Sequence, residues 1–464
     1  MIRVLTLASL FCITVLITPN QKPLHAQDTL SINLQEFIER GIERSGQVAY
    51  ESRAVDLAEN RSRQARSQRF FPRLELNTLH GVVPGVKSPQ GRPSGQMYLD
   101  PFLENDWEDW AIFTRAELNA VQPVYSWGAV TGAIKAAEQG ARAAEFQFGA
   151  VRAEAEVQLF ELYFSYLLAM EIERILEDAS SQIRQVERQI EQMREDGDPT
   201  LSESDVFKFE IYKTEFEVNR AEVEQSVQSI NRIWSYVLQS DNGQVYRPAE
   251  SFLDPVAFQL EPYDYYQALA LSERPEVRGV AHGIEALRAG ADAVRAQQYP
   301  ILFLGITGSY ANTPNRPRQT NPFIINNSNF ATAGVGFGIR QNLNFTSMRS
   351  NIDRADIEYR RVKDLRDAVS DGIVLELNEK YQSAAVAEVK LEQTRRALTT
   401  ARNWVRNEQL DYDLGFGDVE NLLEAVQKEL ELRVQLKQSI FDLNMNIAAL
   451  YRASGIPVNQ LSTN

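Results

Sequence analysis

The chain has 464 residues, of which 44% are hydrophobic and 24% charged, so it carries enough apolar side chains to fold. Its 63 acidic residues outnumber its 48 basic residues, and the net charge of −15 argues against a general nucleic-acid binder, because phosphate contacts need clustered positive charge. One cysteine and three histidines can build neither a disulfide framework nor a thiolate zinc site.

Residues 1–26 are typical of a secretory signal peptide. Arg3 gives a basic start, residues 4–17 are apolar, and Ala26 is a small residue at which cleavage is expected. The alternative is a membrane anchor, but about 14 apolar residues are too few to cross about 30 Å of hydrocarbon. Cys12 lies inside this segment without the preceding small residue that lipoprotein processing requires, so we predict no lipid anchor.

The rest of the chain contains an internal repeat. Five residues recur at an offset of 228, namely Ala58, Ala65, Pro72, Leu74 and Leu76 as Ala286, Ala293, Pro300, Leu302 and Leu304. We predict two repeats, 27–238 and 263–451, joined by a polar link over 239–262 and followed by a C-terminal tail over 452–464. Each repeat is predicted as helix, strand, loop, strand, long helix, turn and helix.

Four segments alternate between apolar and small or polar residues, at about 73–83, 111–124, 301–311 and 331–346. In the last segment, one side is predicted to face lipid, and it consists of Ala333, Val335, Phe337 and Ile339. This pattern suits a barrel wall between lipid and water, and equally a half-buried soluble sheet. The export signal, strand lengths near 10 residues, nearby aromatic residues and the long loops favour the membrane.

No later segment has about 20 uninterrupted apolar residues, so a membrane-spanning form would have to be a β-barrel. Four strands cannot close a barrel alone, because about eight is the smallest closed size. The strands would therefore be shared between chains, with eight from two chains or twelve from three. The residues alone do not choose between the two.

The helical segments repeat every 3.5 residues, which predicts coiled-coil packing. They are predicted at about 132–194, 203–238, 350–410 and 418–451. At 1.5 Å per residue the first would be about 90 Å long, much longer than a typical domain is wide.

From about Leu34 to Pro457, the chain resembles the TolC-like family of outer membrane efflux proteins. The resemblance lies in the helix that leads into Pro72 or Pro300, in the strand-to-helix steps QPVYSWGAVTGAIKAAE and QNLNFTSMRSNIDRADI, in the tip YDLGFGDVENLLEA and in the end AALYRASGIP. It implies a mixed α and β fold in a homotrimer. A twelve-stranded barrel in outer membrane lipid would continue as an α-helical tunnel into the periplasm. It also implies an adaptor protein at the tips, an inner-membrane pump, a passive conduit without enzymatic activity and no cofactor.

The resemblance assigns the periplasmic gate to Tyr412, Asn421 and Glu424. Asn421 and Glu424 occupy the positions of two acids in the family's pore ring, so one acid is retained and one is neutral. Rings of carboxylates favour cations and repel anions. The alternative for Glu424 is a solvated helix face.

The adaptor-facing tips are predicted to include Gly197, Asp205, Val206, Leu414, Gly415 and Phe416. Acids around the first tip lack the spacing of an EF-hand calcium loop, so we predict no metal.

Three further patterns have simpler explanations. The Gly-rich run 334–338 lacks the last glycine of a nucleotide loop and lies in an alternating strand. His80 and His282 are isolated and predicted to be structural. The competing function is a periplasmic coiled-coil adaptor or scaffold without a pore, which shares the helical hairpins but does not explain four strands or the repeat. The sequence does not identify the exported molecule or the pump.

Overall fold

The computed structural model describes residues 29–91, 102–196, 202–239, 244–318, 323, 325–414 and 419–461. The predicted signal peptide and Cys12 therefore lie outside the described residues. The elements in chain order are β1 (Thr29–Ile32), α1 (Leu34–Arg44), α2 (Gly46–Phe70), β2 (Arg73–Lys87), β3 (Glu104–Tyr125), α3 (Ala129–Asp196), α4 (Glu203–Leu238), β4 (Val245–Pro248), α5 (Tyr263–Glu273), α6 (Pro275–Ala296), β5 (Ile301–Asn312), β6 (Phe330–Arg340), α7 (Phe345–Asp413) and α8 (Val419–Ser454), with a short 3₁₀ helix at Val458–Gln460.

The main sheet has four strands in the order β2-β3-β5-β6, and all neighbours are antiparallel. Each repeat contributes one hairpin, and the pairing of β3 with β5 joins the two halves. The strand predicted over 331–346 is shorter, because it ends at Arg340. Asn342 Oδ1 accepts a hydrogen bond from the Asn344 amide at 2.9 Å, and the Asn344 side chain caps α7 by accepting from the Ser347 amide. These two asparagines turn the chain from strand to helix.

Helix α4 has the predicted bounds, whereas most of the other strands and helices extend beyond the predicted segments. The segment predicted over 111–124 begins at Glu104, and the one over 73–83 continues to Lys87. The helix predicted over 132–194 spans 68 residues and starts after Trp127 and Gly128, whose positive φ angles reverse the chain. Helix α7 has 69 residues and is therefore about 100 Å long. None of the helices among the described residues is both long and apolar enough to cross a lipid bilayer.

The segment before each hairpin is two helices rather than the single helix that was predicted. Ser45 ends α1 and caps α2, because its hydroxyl accepts a hydrogen bond from the Val48 amide at 3.3 Å. In the second repeat, Arg274 separates α5 from α6, and Pro275 begins α6, where its missing N–H costs nothing.

The largest apolar cluster lies around the small parallel sheet formed by β1 and β4. We call this cluster with its two strands the belt. Its centre is the stacked pair of Phe37 and Trp234, whose ring centroids are 4.2 Å apart. Burial, aided by the neighbouring Glu250, raises the pKa of the Tyr163 phenol in this cluster, so its hydroxyl stays neutral. The tail beyond α8 also joins the belt, because Val458 and Leu461 are buried there.

The inter-repeat link is fixed to the long helices by buried polar groups. Asn444 on α8 is fully buried; it accepts from the Val256 amide at 3.0 Å and donates to the Asp254 carbonyl at 3.0 Å. Glu171 on α3 accepts from the Leu253 amide and pairs with Lys437 at 3.2 Å. The link is therefore bound to both repeats.

A network of ion pairs lies where α3, α5, α6, α7 and α8 meet. Arg274 is only 3% exposed; it donates to Glu376 at 2.7 Å and to Glu276 at 3.1 Å. Arg452 pairs with Glu154, Glu276 and Glu376. Burial opposes the charge on Arg274 and Glu276, but their mutual hydrogen bonds prevail. The pKa of Arg274 is therefore raised and that of Glu276 lowered.

Candidate functional site

One face of the four-stranded sheet is mostly apolar across all four strands, although Thr78, His80 and Thr114 also lie on it. The register places Ile339, Phe337 and Val335 of β6 beside Leu302, Leu304 and Ile306 of β5. The same face continues through Leu118 and Ile112 of β3 to Leu76 and Val82 of β2. The predicted set of Ala333, Val335, Phe337 and Ile339 lies on this face, and all four side chains are exposed. A sheet with a wide exposed apolar face buries it against another apolar phase.

The opposite face is mostly polar or small, although Leu79 and Val83 also lie on it. It carries Glu75, Asn77, Arg115, Glu117, Asn119, Thr307, Ser309 and Thr332. Glycines on this face receive aromatic rings from the neighbouring strand. Phe303 covers Gly338, where an added Cβ would stand 2.5 Å from its ring, and Phe113 covers Gly81 in the same way. The first face therefore suits contact with lipid, and the second suits contact with water.

Tryptophan and tyrosine lie at both ends of the sheet. Near the helices, Trp127 contacts Tyr125 and Tyr299 and donates its indole N–H to the Pro300 carbonyl at 2.9 Å. At the far end, Trp107 and Trp110 pack together with ring centroids 5.9 Å apart. Amphipathic rings at both ends of an apolar band are typical of the two interfaces of a membrane.

At the other end of the molecule, the helix pair α3 and α4 meets the pair α7 and α8 along a groove of about 260 Å³. Apolar side chains such as Ile183, Val186 and Leu423 line it together with several glutamines. The buried Tyr212 hydroxyl has no hydrogen-bond partner among the described residues, and burial raises the pKa of Tyr212 to about 12. This phenol therefore stays neutral.

The structure places the three predicted gate residues on two different surfaces. Tyr412 lines the groove, and its hydroxyl lies 3.2 Å from the Met193 sulfur on α3. Asn421 and Glu424 are exposed and lie one turn apart on α8. Helical spacing puts both on the side of α8 away from Leu423 and Val426, which line the groove. Within one chain, Tyr412 thus faces the helix packing and the other two face outward.

The predicted tip residues are only partly described. Gly197, Gly415 and Phe416 lie outside the described residues, and so does the side chain of Asp205, whose backbone belongs to α4. Leu414 is exposed at the end of α7.

Val206 packs partly against the apolar cluster between α3 and α4, so it contributes to helix packing. An ion pair that sequence reasoning missed joins Lys208 of α4 to Glu420 of α8 at 2.5 Å. Its two residues lie 212 positions apart without any shared motif, so no local signal marks the pair.

The isolated histidines have local partners. His80 contacts the Thr114 hydroxyl at 3.1 Å on the neighbouring strand. His282 contacts Gln139 at 2.7 Å and stacks on Phe146. The glycine-rich run 334–338 lies in β6. In the described part of the chain, no three His, Cys, Asp or Glu side chains form a group that suits a metal ion.

Comparison with known proteins agrees with these features. Residues 267–455 match the sequence family described as outer membrane efflux protein. No curated protein sequence matches the chain.

Several solved structures share the fold over nearly the whole chain. CusC, whose crystal structures concern folding and transmembrane channel formation, has 16% identity and a TM-score of 0.72, over 95% of this chain and 97% of its own. The CmeC outer membrane channel of Campylobacter jejuni has 13% identity and a TM-score of 0.69, over 92% of this chain and 86% of its own. VceC of Vibrio cholerae, an outer membrane protein, has 16% identity and a TM-score of 0.68, over 92% and 96%. The resemblance that the sequence predicted is thereby confirmed, in sequence over the second repeat and in fold over both.

Proposed function

We propose that this chain, with the family resemblance and the fold of outer membrane efflux proteins, is the outer membrane channel of a tripartite efflux or type I secretion system. It is a passive exit duct that crosses the outer membrane and extends into the periplasm. The observation that carries this proposal is the sheet, because it exposes one mostly apolar face and one mostly polar face, with aromatic residues at both ends.

The sheet requires further copies of the chain. β2 and β6 form its two edges, and open edges are not tolerated within lipid. Pairing β6 of one copy with β2 of the next removes both edges. Three copies give twelve strands, which is wide enough for a lumen, whereas the eight strands of a dimer leave an interior filled by side chains. We therefore propose a homotrimer whose lumen is lined by the polar face.

The helices continue the duct. With 68 and 69 residues, α3 and α7 extend about 100 Å, a distance suited to crossing the periplasm. Exposed apolar residues remain along both layers of helices, among them Tyr50 and Leu57 on α2 and Leu375 and Val386 on α7. Neighbouring copies would bury these side chains as they close a helical tunnel.

The tips are the proposed gate and docking region. In a trimer, the outward face of α8 that carries Asn421 and Glu424 lies at the axis, and three copies of Glu424 form a ring of carboxylates that favours cations. Tyr412 holds α7 against α3 through Met193. The tips around Leu414 face a periplasmic adaptor, which connects the duct to an inner-membrane pump.

Single-particle imaging of the detergent-purified protein tests this proposal. We expect a three-fold hollow tube, about 100 Å of it helical, that ends in a barrel. Solid rods, or monomers without a barrel, would instead favour the adaptor or scaffold. The membrane fraction gives an independent readout, because a duct sediments with the outer membrane whereas a periplasmic adaptor without an anchor does not.

A further inference from the structure

Part of the loop between β5 and β6, residues 313–329, crosses the sheet. Its described residues are 313–318, 323 and 325–329. Arg316 donates from both Nε and Nη2 to the Pro84 carbonyl of β2, at 3.3 and 3.1 Å. β2 lies two strands away from β5, so the loop reaches about 10 Å across β3. Asn315 fixes it on the way, by donating to the Asp109 carbonyl at 2.9 Å.

The base of this loop is held by a second set of hydrogen bonds. Asn329, which is buried, accepts from the Thr313 amide at 2.7 Å and donates to the carbonyls of Thr313 and Arg316. Asn326 accepts from the amides of Ser328 and Asn329. The two ends of the loop are therefore joined to each other, and the crossing segment starts from a fixed base.

The loop lies on the polar face of the sheet. Ala311, a polar-face position at the end of β5, is only 6% exposed, and Arg115 of the same face contacts the Asn327 carbonyl at 3.5 Å. On the apolar face at the same level, Ile112 and Val82 are 64% and 63% exposed. One face of the same strands is thus covered and the other is not.

We propose that residues 313–318 and 325–329 of the β5–β6 loop form a strap that narrows the outer mouth of the duct, so that passage is restricted at this end as well as at the tips. This inference rests on the proposed function, because it takes the polar face as the lumen. Three straps, one from each copy, extend inward from the wall and present the side-chain amide of Asn327 and the hydroxyl of Ser328. Release of Arg316 from Pro84 opens the strap.

Thiol labelling from outside intact cells measures this mouth independently of the tips. Thr307→Cys places a thiol on the polar face four residues before Ala311, about 13 Å below the strap. The only natural cysteine, Cys12, lies in the predicted signal peptide. The reagents are a small water-soluble maleimide and a maleimide with a long polyethylene glycol chain, which does not cross the outer membrane by another route.

With the strap intact, we expect labelling by the small reagent and none by the large one. Arg316→Ala removes two hydrogen bonds from a charged donor, so the open population, and with it labelling by the large reagent, should rise about tenfold or more. Asn315→Ala releases the strap at a second contact and serves if Arg316→Ala assembles poorly. The matched control is Arg318→Ala, since Arg318 is exposed and makes no hydrogen bond or ion pair among the described residues.

Two results would contradict the strap, and only the second would also contradict the proposed function. Labelling of Thr307→Cys by the large reagent with the strap intact would show an open mouth and leave the duct unaffected. Failure of even the small reagent in every variant, although the protein is present in the outer membrane, would mean that the polar face is not a water-filled lumen. The proposed function and the strap would then fall together.

Discussion

The backbone of Gly455 lies directly against the buried Arg274. Gly455 has a φ of +78°, and a Cβ placed on it would stand 3.0 Å from the Arg274 amide nitrogen. The same turn ends α8 so that Arg274 can donate to the Ala453 carbonyl at 3.3 Å. This one glycine therefore decides how closely the end of α8 approaches the break between α5 and α6.

Gly455→Ala should destabilise the fold. The new Cβ meets backbone atoms, and a positive φ disfavours alanine, so we expect a loss of about 1–3 kcal/mol. Thermal unfolding of the purified protein measures it. Gly372→Ala is the matched control, because Gly372 lies in α7 with no atom within 4 Å of an added Cβ. It should leave the melting temperature unchanged or raise it. Equal melting of the two variants would contradict the role of Gly455.

Glu276→Gln should reduce the difference in the free energy of unfolding between neutral and acidic pH. The folded pKa of Glu276 is lowered, so its carboxylate stabilises the fold above the unfolded value of about 4.3, and this stabilisation is lost as the pH falls through the lowered folded pKa. The test compares melting temperatures at about pH 7 with those below about pH 4, because the folded and unfolded pKa values place the change between these limits. The variant should lose stability at neutral pH and approach the parent protein in acid. Glu379→Gln, at an exposed ion pair, should follow the parent curve.

Val335→Lys should block assembly in the outer membrane, whereas Gly336→Lys should permit it. The two positions are adjacent on β6 and point to opposite faces of the sheet. A lysine facing lipid near the middle of the bilayer costs about 2–4 kcal/mol, but one facing the lumen remains in water. The yield of trimer in outer membrane fractions measures the difference. Assembly of the Val335 variant together with loss of the Gly336 variant would invert the proposed facing.

Asn421→Asp should strengthen the block of the pore by multivalent cations, and Glu424→Gln should weaken it. In a trimer the first change adds three carboxylates to the ring and the second neutralises three, so apparent affinity should shift by about tenfold in opposite directions. Conductance in planar bilayers, with a trivalent cation added on the side of the tips, provides the measurement. Lys428→Arg, which keeps the charge on the same face of α8 one turn further from the tip, is the control. Unchanged block in both acid-site variants would remove these positions from the gate.

The faces of the sheet were predictable because strand side chains alternate strictly. Val335 and Phe337 lie on one face of β6 whatever the tertiary packing, so a period of two sufficed. The end of this strand was not predictable in the same way. Leu343 and Phe345 continue the alternation, and only hydrogen bonds by Asn342 and Asn344 turn the chain earlier. A local polar contact outweighed a periodic pattern.

The tips show a similar division. The resemblance assigned Asn421 and Glu424 to the gate together with Tyr412. In the structure these two lie on one exposed face of α8, as their spacing alone requires. The resemblance gave no sign that Tyr412 faces Met193 or that Val206 packs inward, because both depend on how two helix pairs meet. Arg274 is a further example, since nothing local in the sequence distinguishes a buried arginine from an exposed one.

The belt has a consequence for the order in which the chain folds. β1 pairs with β4, so the contacts of Thr29 cannot form until Val245 is present. The same apolar cluster contains Ile32, near one end of the described chain, and Leu461, near the other. Contacts this distant in sequence form slowly, because a long loop must close before they repay its entropy. A chain that emerges from its N-terminus therefore holds two unfinished helical halves until its last residues arrive. Folding, and with it any assembly between copies, therefore waits until the residues around Leu461 have been exported.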